Sequence, residues 1–180
     1  DVIDGYRCDR GFQLLNPAYP AVKRFIDVTA LELGTFDAGV AVAGRRGLRV
    51  VADPLRAPAL LGKTLTSGYL NPLELARVAR WVAPALGRVR RLLASRDSEL
   101  GASLDRGKVI GRIRREILEP FLTGVLADST GVTSANFTRL LLRSFLLGTP
   151  GVPAAGMAAL PRQLARRLSA PVRLGVRALE

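Results

Sequence analysis

Histidine is absent from the 180 residues, and cysteine occurs once, as Cys8. The first absence excludes every catalytic scheme that uses imidazole as base, and together they exclude a Cys/His zinc cluster. A single thiol leaves no internal disulfide framework. Lysine is scarce: Lys23, Lys63 and Lys108 are the only three, so the other 24 of the 27 basic residues are arginines. No apolar run reaches the roughly 18 residues that mark a membrane-spanning helix. There is no internal repeat and no low-complexity tract.

What is present reads as globular. Hydrophobic residues make up 48% and charged ones 23%, and a chain of this length buries about 70% of its unfolded surface on compaction. The balance of 27 basic and 15 acidic residues gives a net charge of +12 and a pI near 11.3. Guanidinium forks suit phosphates, so one class of function is a basic module for nucleic acid or an anionic membrane surface. A coding bias toward Ala, Arg, Leu, Val and Gly gives the same excess. No aromatic side chains interleave with Arg88, Arg90 and Arg91, as a single-strand stacking platform requires.

Alternation over Tyr6–Leu14 reads as a strand, with Tyr6, Cys8, Phe12 and Leu14 on one side. Gly11 within it marks either a bulge or the close approach of another group. Pro20 opens a short helix through about Ile26. Residues 38–51 read as a β-hairpin with a loop of about four residues around Gly44-Arg45-Arg46-Gly47. Asn71, Pro72 and Glu74 form an N-cap signature for the clearest helix, whose apolar positions are Leu75, Ala79, Val82, Leu86, Val89 and Leu93, with a kink or split expected at Pro84. Further helices are expected over Lys108–Glu119, Thr133–Leu147 (Phe137, Leu140, Leu141, Ser144 and Phe145 on one stripe) and Ala158–Leu168 (Leu160, Leu164 and Leu168 on its apolar side). Extended fragments at Pro171–Leu174 and Val176–Leu179 close the chain. The fold class is α+β: a mixed, mainly antiparallel sheet with a β-hairpin, packed against several helices.

Three ordered blocks carry a family resemblance. They are Asp4-Gly5-Tyr6-Arg7-Cys8-Asp9-Arg10-Gly11-Phe12-Gln13-Leu14-Leu15-Asn16-Pro17-Ala18-Tyr19-Pro20; Glu119-Pro120-Phe121-Leu122-Thr123-Gly124-Val125-Leu126 with Thr133-Ser134; and Gly151-Val152-Pro153-Ala154-Ala155-Gly156-Met157-Ala158-Ala159-Leu160-Pro161-Arg162-Gln163-Leu164. Together they resemble FAD-dependent oxidoreductases of the flavin-containing amine oxidase and phytoene desaturase superfamily. Members hold FAD on a Gly-x-Gly-x-x-Gly strand–turn–helix, which does not occur here. The resemblance therefore implies that residues 1–180 are a single substrate-binding domain, a fragment of a larger flavoenzyme. Strands within 1–15 and 171–180 would then lie near the FAD-binding domain.

The resemblance implies site residues as well. Arg10, Gly11, Phe12 and Gln13 would run beside the isoalloxazine, and backbone near Ala178 beside the adenine. Phe121, Phe137, Phe145, Gly156 and Met157 would line a substrate cavity, although for the large side chains ordinary core packing is the plain alternative. The third block departs from the family where Ala155 replaces the first of two adjacent glycines. The uncharged run Ser144–Pro161 suits the wall of an apolar site or a buried loop. The implied function is hydride removal from an apolar or amine substrate to FAD, with no general base nominated and no activity expected of the isolated chain. FAD is expected in the full-length protein and none in the fragment. The expected partners are the FAD-binding domain of the same protein, an apolar small molecule and a second copy of the chain. Nucleic acid is not favoured, no metal is expected, and the location is cytoplasmic with membrane association as an option.

Overall fold

The computed structural model describes residues 1–9, 11, 14–44 and 47–177. In chain order the elements are β1 (Val2–Ile3), β2 (Tyr6–Arg7), α1 (Pro20–Phe25), β3 (Leu33–Thr35), β4 (Gly39–Gly44) and β5 (Gly47–Ala52). Then follow α2 (Leu61–Leu65), α3 (Pro72–Leu86), α4 (Val89–Leu93), α5 (Leu100–Arg106), a π-helical stretch Arg114–Leu118, α6 (Glu119–Leu126), α7 (Ala135–Leu147), β6 (Gly151–Pro153) and α8 (Ala159–Ala165). The class is α+β, and every strand pair is antiparallel among the described residues. Two compact units form: Asp1–Phe36 with Leu147–Glu180, and Asp37–Leu146.

In the first unit, β3 pairs with β6 from Leu33↔Pro153 to Thr35↔Gly151. Leu15 joins on the other side of Gly151, giving and receiving backbone hydrogen bonds at 2.8 and 3.0 Å. Gly151 thus has backbone on both sides, and a Cβ there would lie 2.7 Å from the Gly34 carbonyl oxygen. Leu15, Val22 and Leu31 form the buried centre, covered by Tyr19, Ile26, Leu33, Ala159 and Leu160. The helix opened by Pro20 is present as α1. The continuous strand expected over Tyr6–Leu14 is not. β2 ends at Arg7, where the Cys8 N–H closes the hairpin on the Asp1 carbonyl at 2.8 Å. Gly11 then has φ +90°, which extended backbone cannot accommodate. The final helix is shorter than its pattern: Leu160 reaches the core, while Leu164 and Leu168 are exposed. Residues 171–177 join no ladder, and Ala178 and Leu179 lie outside the described residues.

In the second unit the hairpin has the expected place, with register from Gly39↔Ala52 to Gly44↔Gly47. Pairing of both glycines shortens the connection below the four residues expected; Arg45 and Arg46 themselves lie outside the described residues. The Asn71 cap is as expected, its Oδ1 accepting the N–H groups of Leu73 and Glu74 at 3.0 and 3.3 Å. Glu74 does not complete a capping box: its carboxylate instead accepts the Ile113 N–H at 3.0 Å. α3 continues through Pro84, and the break falls at Gly87. Pro84 is tolerated because the helix ends within three residues, so little of it remains to be broken.

Trp81, Leu100, Leu104, Val109, Leu118 and Leu122 form the buried cluster of this unit, with Val78, Val82, Phe121, Leu126 and Leu142 packed around it. Burying each such side chain favours the fold by about 1.5–3 kcal/mol. The face of α3 that reaches this core is Val78–Trp81–Val82–Ala85, so the expected stripe is rotated: Leu75, Leu86, Val89 and Leu93 are exposed. A helix predicted from Lys108 starts only at Arg112, because Lys108 (φ +52°) and Gly111 (φ +111°) are left-handed. It then continues as π and α helix to Leu126, beyond the expected Glu119. α5 was not foreseen at all, since its seven residues are too few to display a helical period.

Candidate functional site

The first and third resemblance blocks are more than 130 residues apart in sequence, yet the first unit holds them side by side. The Leu15–Gly151 bridge joins them at one point. At a second, the Asp9 carboxylate accepts the Met157 N–H at 2.8 Å. Gly156, at φ +76° and buried, turns the chain so that this N–H faces Asp9. Gly11 lies two residues beyond Asp9, and a Cβ built on it would meet nothing within 4 Å. Its glycine is therefore required by conformation rather than by crowding from this chain. Arg10, Phe12, Gln13 and Ala178 lie outside the described residues.

Asn16 is a candidate that the sequence reading missed. It is fully buried, and its Oδ1 accepts the Ala18 N–H at 2.9 Å. Its Nδ2 has no hydrogen-bond partner among the described residues. A buried amide donor left unpaired costs about 1–3 kcal/mol, so this group is in want of an acceptor. Its only signal in the sequence was its position before Pro17, which reads equally well as a turn.

The second unit brings together Phe121 and Phe145, edge to face with ring centroids 5.1 Å apart. Phe137 is 55% exposed and not part of that pair. The buried side of α7 is instead small and polar: Ala135, Asn136, Thr138 and Ser144. Ser134 caps the helix through the Phe137 N–H, and Asp97 holds both Ser134 Oγ and the Asn136 N–H. The Ser134 hydroxyl is the main cause of the lowered Asp97 pKa. Arg139 lies over the Trp81 ring and donates to Trp81 O, Asn136 Oδ1 and Ser103 Oγ. Burial lowers its pKa.

Recesses of this unit include the following. A cleft of about 600 Å³ is bounded by α5, the π stretch, α6 and the loop 128–131. A smaller one, about 280 Å³, is bounded by β4, Arg49, Tyr69, Arg112 and Glu116. There Arg112 grips Glu116 through Nε and Nη2 at 2.9 and 3.0 Å and stacks over the Tyr69 ring, while the Tyr69 hydroxyl donates to Glu116 at 2.5 Å. These hydrogen bonds, Arg112 first and Tyr69 second, hold the Glu116 pKa down at about 2. The same bond to Glu116 raises the Tyr69 pKa. A phenol so held is fixed as a donor and unsuited to act as a base at neutral pH.

Many arginines of this basic chain are engaged within its own fold. Arg114 bridges Asp105 and Glu119, Arg56 meets Asp53, and Arg143 and Arg167 donate to the carbonyls of Ala85 and Phe25. Among the described residues no group of His, Cys, Asp or Glu side chains is placed to hold a metal ion. No helix among them is long and apolar enough to cross a membrane.

The family model for flavin containing amine oxidoreductases matches residues 1–180, so the chain belongs to that family of flavin-dependent oxidoreductases. No curated protein and no solved structure gives a match. The family implies a flavin, and the chain fits it in part. The left-handed Gly11 with open space before it and the orphaned Asn16 donor suit a flat ring with carbonyl edges. The 180 residues contain no Gly-x-Gly-x-x-Gly to cradle a pyrophosphate.

Proposed function

We propose that this chain forms the substrate-side part of a flavin-dependent oxidoreductase that removes hydride from an apolar or amine substrate. The observation that carries the reading is the joining of the first and third blocks by the Leu15–Gly151 bridge and the Asp9–Met157 hydrogen bond. In family terms, these are the segments beside the flavin ring and the substrate. FAD, when bound, supplies the two-electron acceptor. The chain's own contribution is positioning and exclusion of water. Asp9 and Gly156 fix the Met157 backbone, Gly11 leaves room for a ring face, and Asn16 Nδ2 donates to a ligand carbonyl. Met157, in the same unit, supplies apolar contact to substrate, and no side chain is assigned as a general base. The exposed apolar side chains of the first unit, Val2, Ile3, Tyr6, Leu174 and Val176, are covered by the FAD-binding domain of the same protein in this reading.

Absorption titration of the 180-residue chain with FAD tests the division of labour. The expected outcome is an unshifted flavin spectrum and no oxidoreductase turnover by the chain alone. Tight one-to-one binding with a perturbed spectrum overturns it. In flavin-loaded protein, Asn16→Asp retains the Ala18 contact and removes the donor. A flavin spectrum and reduction rate unchanged by that substitution would remove Asn16 from the proposal.

A further inference from the structure

The cleft between α5, the π stretch, α6 and the loop 128–131 belongs wholly to the second unit and is not used by the reading above. Its volume of about 600 Å³ lies within the range of small-molecule sites, roughly 300–1,000 Å³. Its inner side is formed by Leu100, Leu104 and Leu122, and its rim carries the hydroxyls of Thr123, Ser129 and Thr130.

The charges around it are unequal in their availability. Asp128 is saturated: it accepts the N–H groups of Thr130, Gly131 and Thr133 and the hydroxyls of Thr130 and Thr133. Glu119 is held by Arg114 Nε at 2.6 Å, and Arg114 is held in turn by Asp105 and by the Val109 carbonyl. Arg115 differs. It is exposed, lines the cleft, and its guanidinium has no partner among the described residues.

The π winding is what creates this inequality. In an α-helix, residues five apart are turned well away from each other, whereas a π turn closes i to i+5 and brings them nearly into line. Arg114 and Glu119 are five apart, so their ion pair depends on the π stretch Arg114–Leu118. That pair engages Glu119, which lines the same cleft as Arg115 and lies four residues from it. Single π turns are rare and recur at functional sites, because their poorer geometry is otherwise a cost to the fold.

We infer that this cleft binds a small molecule bearing an oxyanion, a carboxylate or phosphate, with Arg115 as the charge and the Thr123 and Ser129 hydroxyls as further donors. The site stands apart from the redox reading and requires no flavin. Guanidinium forks take such groups in bidentate fashion.

The test is calorimetric titration of the chain with three probes: inorganic phosphate, octanoate and octyl phosphate. Amide NMR shifts of Thr123, Ser129 and Thr130 are followed in parallel. Saturable binding of at least one probe is expected, with shifts confined to the cleft and affinity reduced tenfold or more by Arg115→Ala. Arg91→Ala, on α4, serves as the control for net charge and is expected to leave affinity within twofold. Inorganic phosphate binding as well as octyl phosphate identifies the headgroup as sufficient; octanoate or octyl phosphate alone identifies an amphipathic ligand. Either result supports the site. Absence of saturable binding by all three probes overturns it. So does equal weakening by Arg115→Ala and Arg91→Ala, which is general attraction to a chain of charge +12. Both positions are exposed, and unchanged thermal unfolding of each variant confirms that the fold is retained.

Discussion

Ser103→Ala is a small deletion with a magnitude that the structure fixes closely. Ser103 is buried, and its Oγ accepts from Trp81 Nε1 at 3.0 Å and from Arg139 Nη2 at 3.2 Å. Removing the oxygen affects these donors differently. Arg139 keeps the Trp81 carbonyl at 3.0 Å and Asn136 Oδ1 at 3.2 Å, so its loss is small. The indole N–H belongs to a side chain only 4% exposed and has no second acceptor among the described residues. Leaving a buried donor unpaired costs about 1–3 kcal/mol, while the methyl group left at position 103 removes little packing. A loss of about 2 kcal/mol is therefore expected. Trp81 is the only tryptophan, so its fluorescence during urea unfolding reports directly on the second unit. The midpoint should fall with an unchanged slope, since the surface exposed on unfolding is the same. In the Trp81→Phe background, where no N–H remains to be orphaned, circular dichroism should show most of the Ser103→Ala penalty abolished. A single-mutant loss below about 0.5 kcal/mol, or an equal loss in both backgrounds, refutes the argument.

Glu116 makes stability depend on acid. Its pKa is lowered from the ordinary 4.5 to about 2 in the folded protein, so between those values the unfolded chain binds more protons. The contribution is complete above about 4.5 and is lost as pH falls toward 2. Glu116→Gln should flatten this part of the stability–pH curve, measured by thermal unfolding across that window. Gly151→Ala should destabilise the first unit by about 1–3 kcal/mol, because the new Cβ meets a ladder carbonyl that cannot move freely. Hydrogen exchange at the Leu15 and Phe36 amides, which donate to the Gly151 and Pro150 carbonyls, should accelerate relative to the second unit. Asp9→Ala removes the carboxylate from the Met157 N–H and should cost about 1–3 kcal/mol. An unaltered exchange rate at the Met157 amide would show that the bond has no part in joining the two blocks.

The sequence by itself settled whatever depends on neighbours a few residues away. Asn71-Pro72 started α3 because an amide oxygen and a fixed φ act within one turn. Pro20 started α1, and the paired glycines flanking Arg45-Arg46 placed the hairpin. The ordered blocks carried the family, since a family is a property of residues in order and not of their contacts. The faces of the helices were less legible. Apolar periodicity put Phe137 on the buried side of α7, but that side is polar, because Asn136, Thr138 and Arg139 find partners on Ser95, Ser134 and Trp81. Such satisfaction comes from chain up to 58 residues away, and no local pattern contains it.

Tertiary structure alone decided the rest: the end of β2 at Arg7, the pairing of Asp9 with Met157, the orphaned Asn16 amide and the π register that separates Arg114 from Arg115. Each depends on which polar groups are brought within about 3 Å of one another once the chain has closed. That condition is met or missed across more than a hundred residues of intervening sequence for Asp9 and Met157. A hydrogen bond falls off over a fraction of an ångström, whereas composition and periodicity constrain position only to a face or a turn.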